Sequence, residues 1–156
     1  MLIEATADDF NAIPGGIVRP GLRLAPDTVI APPDVLDMLR GLADDIRQLF
    51  APSAWWIVNG SEVVGLCSVI RAPHDGDVHI GYGVAPTRQR RGFATMAVGQ
   101  VLAWARHDPR VTQVSAETGI ENVASRRVLE RNGFLRVGER VDADDGPVIC
   151  WRVVVA

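Results

Sequence analysis

The sequence predicts an α/β fold in which helices flank one central sheet of mixed strand direction. An Asn59-Gly60 pair stands between two apolar runs, which is the strongest hairpin signal in the chain. A third strand-like run follows without an intervening helical pattern, and this favours an antiparallel meander. Beyond residue 90, helical and strand-like segments alternate before two final strands, as is typical of α/β architectures.

Length and composition indicate one globular domain spanning residues 1–156. Hydrophobic residues make up 47% of the chain and charged residues 22%, which is ordinary for a protein that buries a core. The net charge of −3 provides no basic field that would attract nucleic acid or an acidic membrane, so neither is an expected partner. The chain contains no lysine, which excludes Schiff-base chemistry on a lysine of its own.

The cysteine pattern and the N-terminus indicate a cytoplasmic protein. Cys67 and Cys150 lie in apolar runs without metal-ligand spacing, which predicts buried, reduced thiols and no metal site. The first residues are acidic and do not resemble a secretion signal. No run approaches the ~18 apolar residues that a membrane span requires.

The N-terminal third contains one clear helix. Residues 1–32 are interrupted by proline and glycine, and only Leu2–Ala5 is a candidate first strand. An apolar face then recurs in steps of four and three residues and predicts a helix that ends before Pro52. The members of this face are Val35, Leu39, Leu42, Ile46 and Leu49.

Three antiparallel strands are expected next. Residues 55–58 and 62–70 form the hairpin, residues 71–77 form a turn, and residues 79–84 form a buried strand. Pro86 ends this strand because proline cannot donate to a sheet ladder.

The remainder of the chain alternates helix and strand. An almost entirely apolar helix begins after Gly92 and stops at Asp108-Pro109, and a strand over residues 111–118 follows. A second helix spans residues 122–132, and Gly133 is placed to be the left-handed residue that ends it. The final strands are expected at residues 135–142 and 148–155.

The turn between the third strand and the apolar helix has the composition of an anion site. It is rich in arginine and ends at Gly92, where the helix begins. Free backbone N–H groups and the positive end of the helix dipole converge at such a turn, and glycine lets a phosphate approach the backbone closely. The segment is neither a Walker A loop nor a dinucleotide fingerprint, because it lacks both glycine spacings.

Two segments carry a resemblance to a known family. Gln89-Arg90-Arg91-Gly92-Phe93-Ala94 resembles the Gln/Arg-x-x-Gly-x-Gly/Ala signature of the GNAT acyltransferases. Residues 122–134, with Asn122, Ser125 and a terminal Gly-Phe pair, are similar to the branch that acetylates ribosomal-protein N-termini. The resemblance covers roughly residues 54–155. It implies a mostly antiparallel sheet of six to seven strands flanked by helices, with a splayed central strand pair that forms the cofactor groove.

The resemblance also implies acetyl-coenzyme A as cosubstrate and names the residues that hold it. The backbone of Val84 would meet the pantetheine arm, and Asn122 would bind near the thioester. Ser125 would lie beside the sulfur as a general acid. The pyrophosphate would be cradled, mainly by backbone N–H groups, at Gln89, Arg90, Arg91, Gly92, Phe93, Ala94 and Thr95.

The implied reaction is direct attack of a primary amine on the thioester. Two residues are candidates for the base that removes the amine proton. One is His79, where relatives often carry glutamate, and the other is Glu117. Many relatives carry a tyrosine as general acid where this chain has Leu129, so Ser125 or a water would have to serve. Whether Tyr82 shares the face of Ile80 depends on a bulge and is left open.

The acceptor is not defined by the sequence. A peptide N-terminus, a polyamine and an aminoglycoside are all compatible with the resemblance, and a homodimer is left open. An acidic loop with Asp142, Asp144 and Asp145 is one candidate for attracting a cationic amine. The alternatives to an enzyme are a non-catalytic coenzyme A sensor or scaffold and, less favoured, a nucleotide-binding module.

Overall fold

A computed structural model describes all residues from Met1 to Ala156. One seven-stranded sheet has the order β1-β2-β3-β4-β5-β7-β6. The strands are β1 Leu2–Glu4, β2 Ala54–Asn59, β3 Glu62–Val69, β4 Asp77–Val84, β5 Gln113–Gly119, β6 Leu135–Asp142 and β7 Gly146–Val154. The helices are α1 Ala7–Ala12, α2 Pro33–Arg47, α3 Phe93–His107 and α4 Val123–Arg131. The mixed, mostly antiparallel sheet flanked by helices confirms the predicted fold class.

The predicted hairpin is confirmed, but its turn lies one residue later than the sequence suggested. Asn59 pairs with Glu62 inside the ladder, so the two turn residues are Gly60 and Ser61. Gly60 has φ +61°, the conformation that such a hairpin turn needs at its first central position. Asn59 therefore belongs to β2, and glycine alone supplies the positive φ.

Three strands begin two residues away from the predicted position, and β2 begins one residue early, at Ala54. β4 begins at Asp77, since the tight turn before it uses positive φ at Asp75 (+50°) and Gly76 (+79°). β5 begins at Gln113, because the N–H of Val111 still bonds to the carbonyl of Asp108 at the end of α3. β7 begins at Gly146 rather than Val148, which makes its hairpin with β6 shorter than expected.

The central strands β4 and β5 are parallel and separate after a short contact. Their pairing runs from Asp77 opposite Gln113 to Ile80 opposite Ala116. Beyond that point β4 pairs only with β3, and β5 pairs only with β7. The splayed strand pair implied by the family resemblance is present.

Helices cover both faces of the sheet. α3 and α4 pack on one face over the largest core cluster, which includes Val78, Ile80, Val114 and Ala116. α1 and α2 pack on the other face over β2 and β3. No helix is both long enough and apolar enough to cross a membrane.

The N-terminal segment contains a short helix that the sequence reading missed. α1 begins with a capping box, in which Thr6 and Asp9 satisfy each other's backbone N–H groups. Arg19 forms an ion pair with Asp9, which is buried, and so ties the following loop to this helix. Much of the segment between α1 and α2 thus runs as loop against β2 and β3.

Candidate active site

The turn before α3 presents a backbone suited to an anion. Arg90 and Gly92 both adopt positive φ, +65° and +80°, and α3 has no side-chain cap. The first N–H groups of a helix have no intrahelical partners, which leaves those of Phe93, Ala94 and Thr95 facing the turn. A Cβ placed on Gly92 would meet no atom within 4 Å, so the space in front of the turn is open. These features fit a phosphate-bearing ligand.

The arginines of the turn divide into two roles. Arg88 forms ion pairs with Glu62, at 2.5 Å, and with Asp27, at 3.1 Å. Its guanidinium holds the pKa of the buried Glu62 carboxyl below the usual range. Arg90 and Arg91 are exposed and enter none of the ion pairs. Arg88 therefore anchors the turn to the β2–β3 hairpin, while Arg90 and Arg91 remain available to a ligand.

Two side chains brace the same region. Gln89 donates from Nε2 to the carbonyl of Val84, at 3.1 Å. Asn132, at the end of α4, donates to the carbonyl of Thr95, at 3.1 Å, and so links α4 to the first turn of α3. The resemblance assigned Gln89 and Val84 to the cofactor, and here they also contact each other.

The start of α4 places a pair of hydroxyl groups beside the splayed strand. Asn122 caps the helix by accepting from the N–H of Ser125, at 3.1 Å. Ser125 Oγ lies 2.8 Å from the hydroxyl of Tyr82. Burial raises the pKa of Tyr82 to about 12, so its phenol stays protonated at neutral pH. Tyr82 packs against the same core cluster as Ile80, which settles the orientation left open by the sequence.

Leu129 does not reach this site. Its side chain is fully buried in the core cluster beneath α4. The position where many relatives carry a catalytic tyrosine is thus a packing position here, and the nearest phenol comes from Tyr82 on β4.

A chain of hydrogen bonds orients His79 on the opposite face of β4. Ser115 donates to Asp77 Oδ2, at 2.8 Å, and its Oγ lies 2.8 Å from His79 Nδ1. Because the serine hydroxyl has one proton, which Asp77 accepts, Ser115 must accept from His79. Nδ1 therefore carries the imidazole proton, and Nε2 keeps a lone pair.

The second candidate base lies next to this lone pair. Glu117 Oε1 is 3.6 Å from His79 Nε2, which is too far for a hydrogen bond. The other carboxylate oxygen of Glu117 accepts from Arg140 Nε, at 2.7 Å. The structure thus brings His79 and Glu117 together, but an arginine holds the glutamate and nothing donates to the histidine Nε2.

The environment of His79 keeps its ring neutral. The residue is 7% exposed, and burial, followed by the nearby Arg71 cation, lowers its pKa below the ordinary value. A neutral imidazole with a free Nε2 can accept a proton at neutral pH. His79 and Glu117 border a cavity of about 200 Å³, which also contains the half-buried, free Cys150.

Cys67, the other cysteine, is free and fully buried in β3, and burial raises its pKa to about 12. The prediction of a buried thiol is thus confirmed for Cys67, whereas Cys150 is only half-buried. Neither cysteine is fully exposed, and burial keeps the Cys67 thiol protonated, so neither lies in the exposed, electropositive surroundings of a nucleophile.

The two groups of polar residues lie on opposite faces of β4 at the point where β5 diverges. His79 and Glu117 are on the α2 face, whereas Tyr82 and Ser125 are on the α3–α4 face. The sequence reading missed Tyr82 and Ser115 as contributors. Strand alternation from His79 and Ile80 gives the face on which Tyr82 lies. The partner of Tyr82, Ser125, is 43 residues away in the chain, and Ser115 is 36 residues away from His79, so neither contact is visible in the sequence.

Comparisons with known proteins agree with this architecture. The family pattern described as an acetyltransferase (GNAT) domain matches residues 26–135, more than half of the chain. The chain belongs to the GNAT acetyltransferase family. The Bacillus subtilis protein YjdG, an uncharacterised N-acetyltransferase, is 27% identical over 85 residues, which are 53% of this chain and 51% of YjdG. This chain thus matches about half the length of that curated relative.

Solved GNAT structures share the fold over nearly the whole chain. RimL, a ribosomal L7/L12 α-N-protein acetyltransferase in complex with coenzyme A, superposes with TM-score 0.74 and 18% identity, covering 99% of this chain and 93% of RimL. The spermidine N-acetyltransferase of Vibrio cholerae in complex with CoA and spermine gives TM-score 0.71 and 16% identity, covering 99% and 94%. A dodecameric form of the Vibrio enzyme gives 0.72 and 16%, covering 99% and 93%. At identities of 16–18%, these similarities show a shared fold.

Proposed function

We propose that this GNAT protein transfers the acetyl group of acetyl-coenzyme A to a primary amine by direct attack. The observation that carries the proposal is the splay of β4 from β5, which has a neutral, oriented histidine on one face and a pair of hydroxyls on the other. A base and a proton donor on opposite sides of one opening suit a reaction in which two substrates meet there.

The residues around the opening would bind different parts of acetyl-coenzyme A. The N–H groups of the first turn of α3, with Arg90 and Arg91, would hold the pyrophosphate. The unpaired backbone of Gly81–Val84 faces the gap and would bind the pantetheine amides. Asn122 keeps its side-chain amide nitrogen for a contact near the thioester, since only its oxygen caps α4.

His79 is the proposed base. Its Nε2 takes the proton from the amine, and the Asp77–Ser115 chain keeps Nδ1 protonated and stabilises the imidazolium that forms. The neutral amine nitrogen forms a bond to the thioester carbonyl carbon, and the carbon–sulfur bond breaks. Ser125, hydrogen-bonded to Tyr82, is the proposed donor to the departing sulfur, and it regains a proton from the second one that the nitrogen loses as the amide forms. The hydroxyl pair of Ser125 and Tyr82 would take the role of the general-acid tyrosine that many relatives carry where this chain has Leu129.

The test is acetyl transfer with purified protein. Release of the coenzyme A thiol is followed with a chromogenic thiol reagent, and the acetylated amine is identified by mass spectrometry. Thiol release that depends on the amine and yields the acetylated product is expected. Tight coenzyme A binding by calorimetry without acetylation of any amine in a panel of peptides, polyamines and aminoglycosides would instead establish the non-catalytic sensor.

A further inference from the structure

A second cavity lies on the α2 face of β4 and has no assigned occupant. It measures about 210 Å³ and lies between α2 and the strands β3 and β4. Seven of its ten lining residues are hydrophobic, and none of them is charged. The seven are Ile30, Ala31, Val35, Leu39, Leu66, Ile70 and Tyr82. We call it the α2 cavity.

The α2 cavity and the proposed base lie on one side of the same strand. His79, Gly81 and Gly83 are alternate residues of β4, so they face the same direction. Gly81 and Gly83 line the cavity, and neighbours on one strand face are roughly 7 Å apart. An amine nitrogen at the splay, within reach of His79 Nε2, would therefore have its carbon substituent over these two glycines.

Glycine at residue 83 keeps the cavity open. A Cβ at this position would meet no atom within 4 Å, and the residue does not have a positive φ. The backbone conformation at residue 83 therefore does not require glycine. A larger side chain at this position would enter the cavity and occupy its volume.

One polar group in the cavity lacks a partner. Ser68 is 4% exposed, and its Oγ has no hydrogen-bond partner although it lies in the cavity lining. A buried hydroxyl without a partner is unfavourable, so an occupant with one polar atom at this depth would gain a hydrogen bond. Ser68 pairs with Gly81, which places this hydroxyl beside the splay.

The charges nearby do not favour a polycation. In the cavity beside His79, Asp77 is accompanied by Arg71, and Glu117 is held by Arg140. Arg152 adds a further positive charge to that lining. Of the acidic loop, Asp142 is bonded to Arg140 and to the N–H groups of residues 144 and 145. Asp144 and Asp145 form no ion pair, but they lie outside the lining of both cavities. No unpaired cluster of carboxylates therefore lines either cavity to hold a second ammonium group.

From this arrangement we propose that the α2 cavity receives an uncharged aliphatic or aromatic group carried by the acceptor amine. The inference rests on the proposed acetyl transfer and specifies its substrate class. The volume is sufficient for a leucine- or phenylalanine-sized group, since an apolar cavity of about 150 Å³ in another protein holds benzene. The preferred acceptor is then a hydrophobic primary amine or a peptide beginning with a hydrophobic residue, and a polyamine is a poor substrate.

The first experiment compares kcat/KM for ethylamine, isoamylamine, 2-phenylethylamine, leucinamide, a peptide with N-terminal leucine and spermidine. Each methylene placed in the cavity should raise kcat/KM by roughly fourfold, so isoamylamine should exceed ethylamine by more than tenfold. Leucinamide and the leucine peptide distinguish a small amine from a protein N-terminus. Spermidine acetylated faster than every hydrophobic amine overturns the inference and leaves acetyl transfer intact. Turnover of no amine overturns both.

Ala31→Phe tests the location, because Ala31 lines the α2 cavity but has no part in the proposed coenzyme A site. It should lower kcat/KM for isoamylamine at least tenfold, change that for ethylamine less than threefold, and leave the Kd of coenzyme A unchanged by calorimetry. Ala103→Phe is the matched control, since this exposed alanine of α3 lies outside both cavities. An equal loss for both amines, or the same loss in the control, overturns the assignment of the cavity.

Ser68→Ala tests the polar contact. Removal of an unpartnered hydroxyl should leave the Tm unchanged or raise it. The KM for leucinamide, which has a carbonyl to accept from Ser68, should rise several-fold, whereas the KM for isoamylamine should not change. A lowered Tm with equal effects on the two amines contradicts the proposed contact.

Discussion

Replacement of His79 by asparagine is the most direct test of the proposed base. The variant removes Nε2, while the asparagine amide can still donate to Ser115 Oγ in place of Nδ1. The Asp77–Ser115 chain and the packing of β4 against β5 should therefore be retained. His74→Asn is the matched control, because the His74 side chain is 87% exposed and does not line the cavity.

The expected magnitude follows from protonation states. A histidine with the ordinary pKa of 6.5 would be about three quarters neutral at pH 7, and burial of His79 increases that fraction. A peptide α-amino group with a pKa of about 8 is only about one tenth neutral at pH 7 and about nine tenths neutral at pH 9. Loss of the base should lower kcat/KM about 10²-fold at pH 7. The deficit should shrink roughly tenfold by pH 9, where the amine no longer needs the base.

The assay is the initial rate of thiol release between pH 5.5 and 9 at constant ionic strength, with one peptide substrate. In the wild-type protein, kcat/KM should fall on the acidic side with an apparent pKa below 6.5, because the pKa of His79 is lowered. In the variant, kcat/KM should instead follow the neutral fraction of the amine and fall below pH about 8. A wild-type to variant ratio that stays constant across the pH range would refute His79 as the base and favour Glu117.

Three further predictions concern the other parts of the site and the fold. Tyr82→Phe removes the hydrogen-bond partner of Ser125 and should lower kcat about tenfold. The KM values for the amine and for acetyl-coenzyme A should stay within twofold. Equal changes in kcat and KM would argue against a role of this hydroxyl pair at the sulfur. Gly92→Glu adds bulk and negative charge at the anion turn and should weaken coenzyme A binding at least 10²-fold by calorimetry, with Gly92→Ala separating backbone strain (φ +80°) from charge. Gly133→Ala should destabilise the protein by about 1 kcal/mol in urea, because φ is +80°, whereas Gly41→Ala inside α2 should stabilise it by a similar amount.

Features that depend on neighbours in the chain were predictable from the sequence. The hairpin, the glycine at the start of α3 and the helix end at Gly133 are all present. At that helix end, the N–H of Gly133 bonds to the carbonyl of Glu130 and that of Phe134 to Leu129, the paired bonds of a Schellman motif. Local backbone chemistry determines each of these elements.

Features that depend on distant partners were not predictable. Arg88 could not be separated from Arg90 and Arg91, because its partner Glu62 is 26 residues earlier in the chain. The role of Tyr82 depends on the position of α4 over the sheet. α1 has only six residues and a capping box with aspartate in place of the commoner glutamate, so its signal was weak. Side-chain pairing across strands requires the register, which alternation does not provide.

The splay between β4 and β5 also has a consequence for how the protein behaves without its cosubstrate. Gly81–Val84 and Glu117–Gly119 each present an unpaired strand edge in the middle of the sheet. Exposed edges are sites where other extended chains add on and aggregation begins. A pantetheine arm that forms hydrogen bonds along this gap would satisfy backbone groups of these edges, as an added strand would. Coenzyme A should therefore protect these amides from hydrogen exchange and suppress aggregation on heating, so that the amount of ligand in the cell also governs how long the folded protein persists.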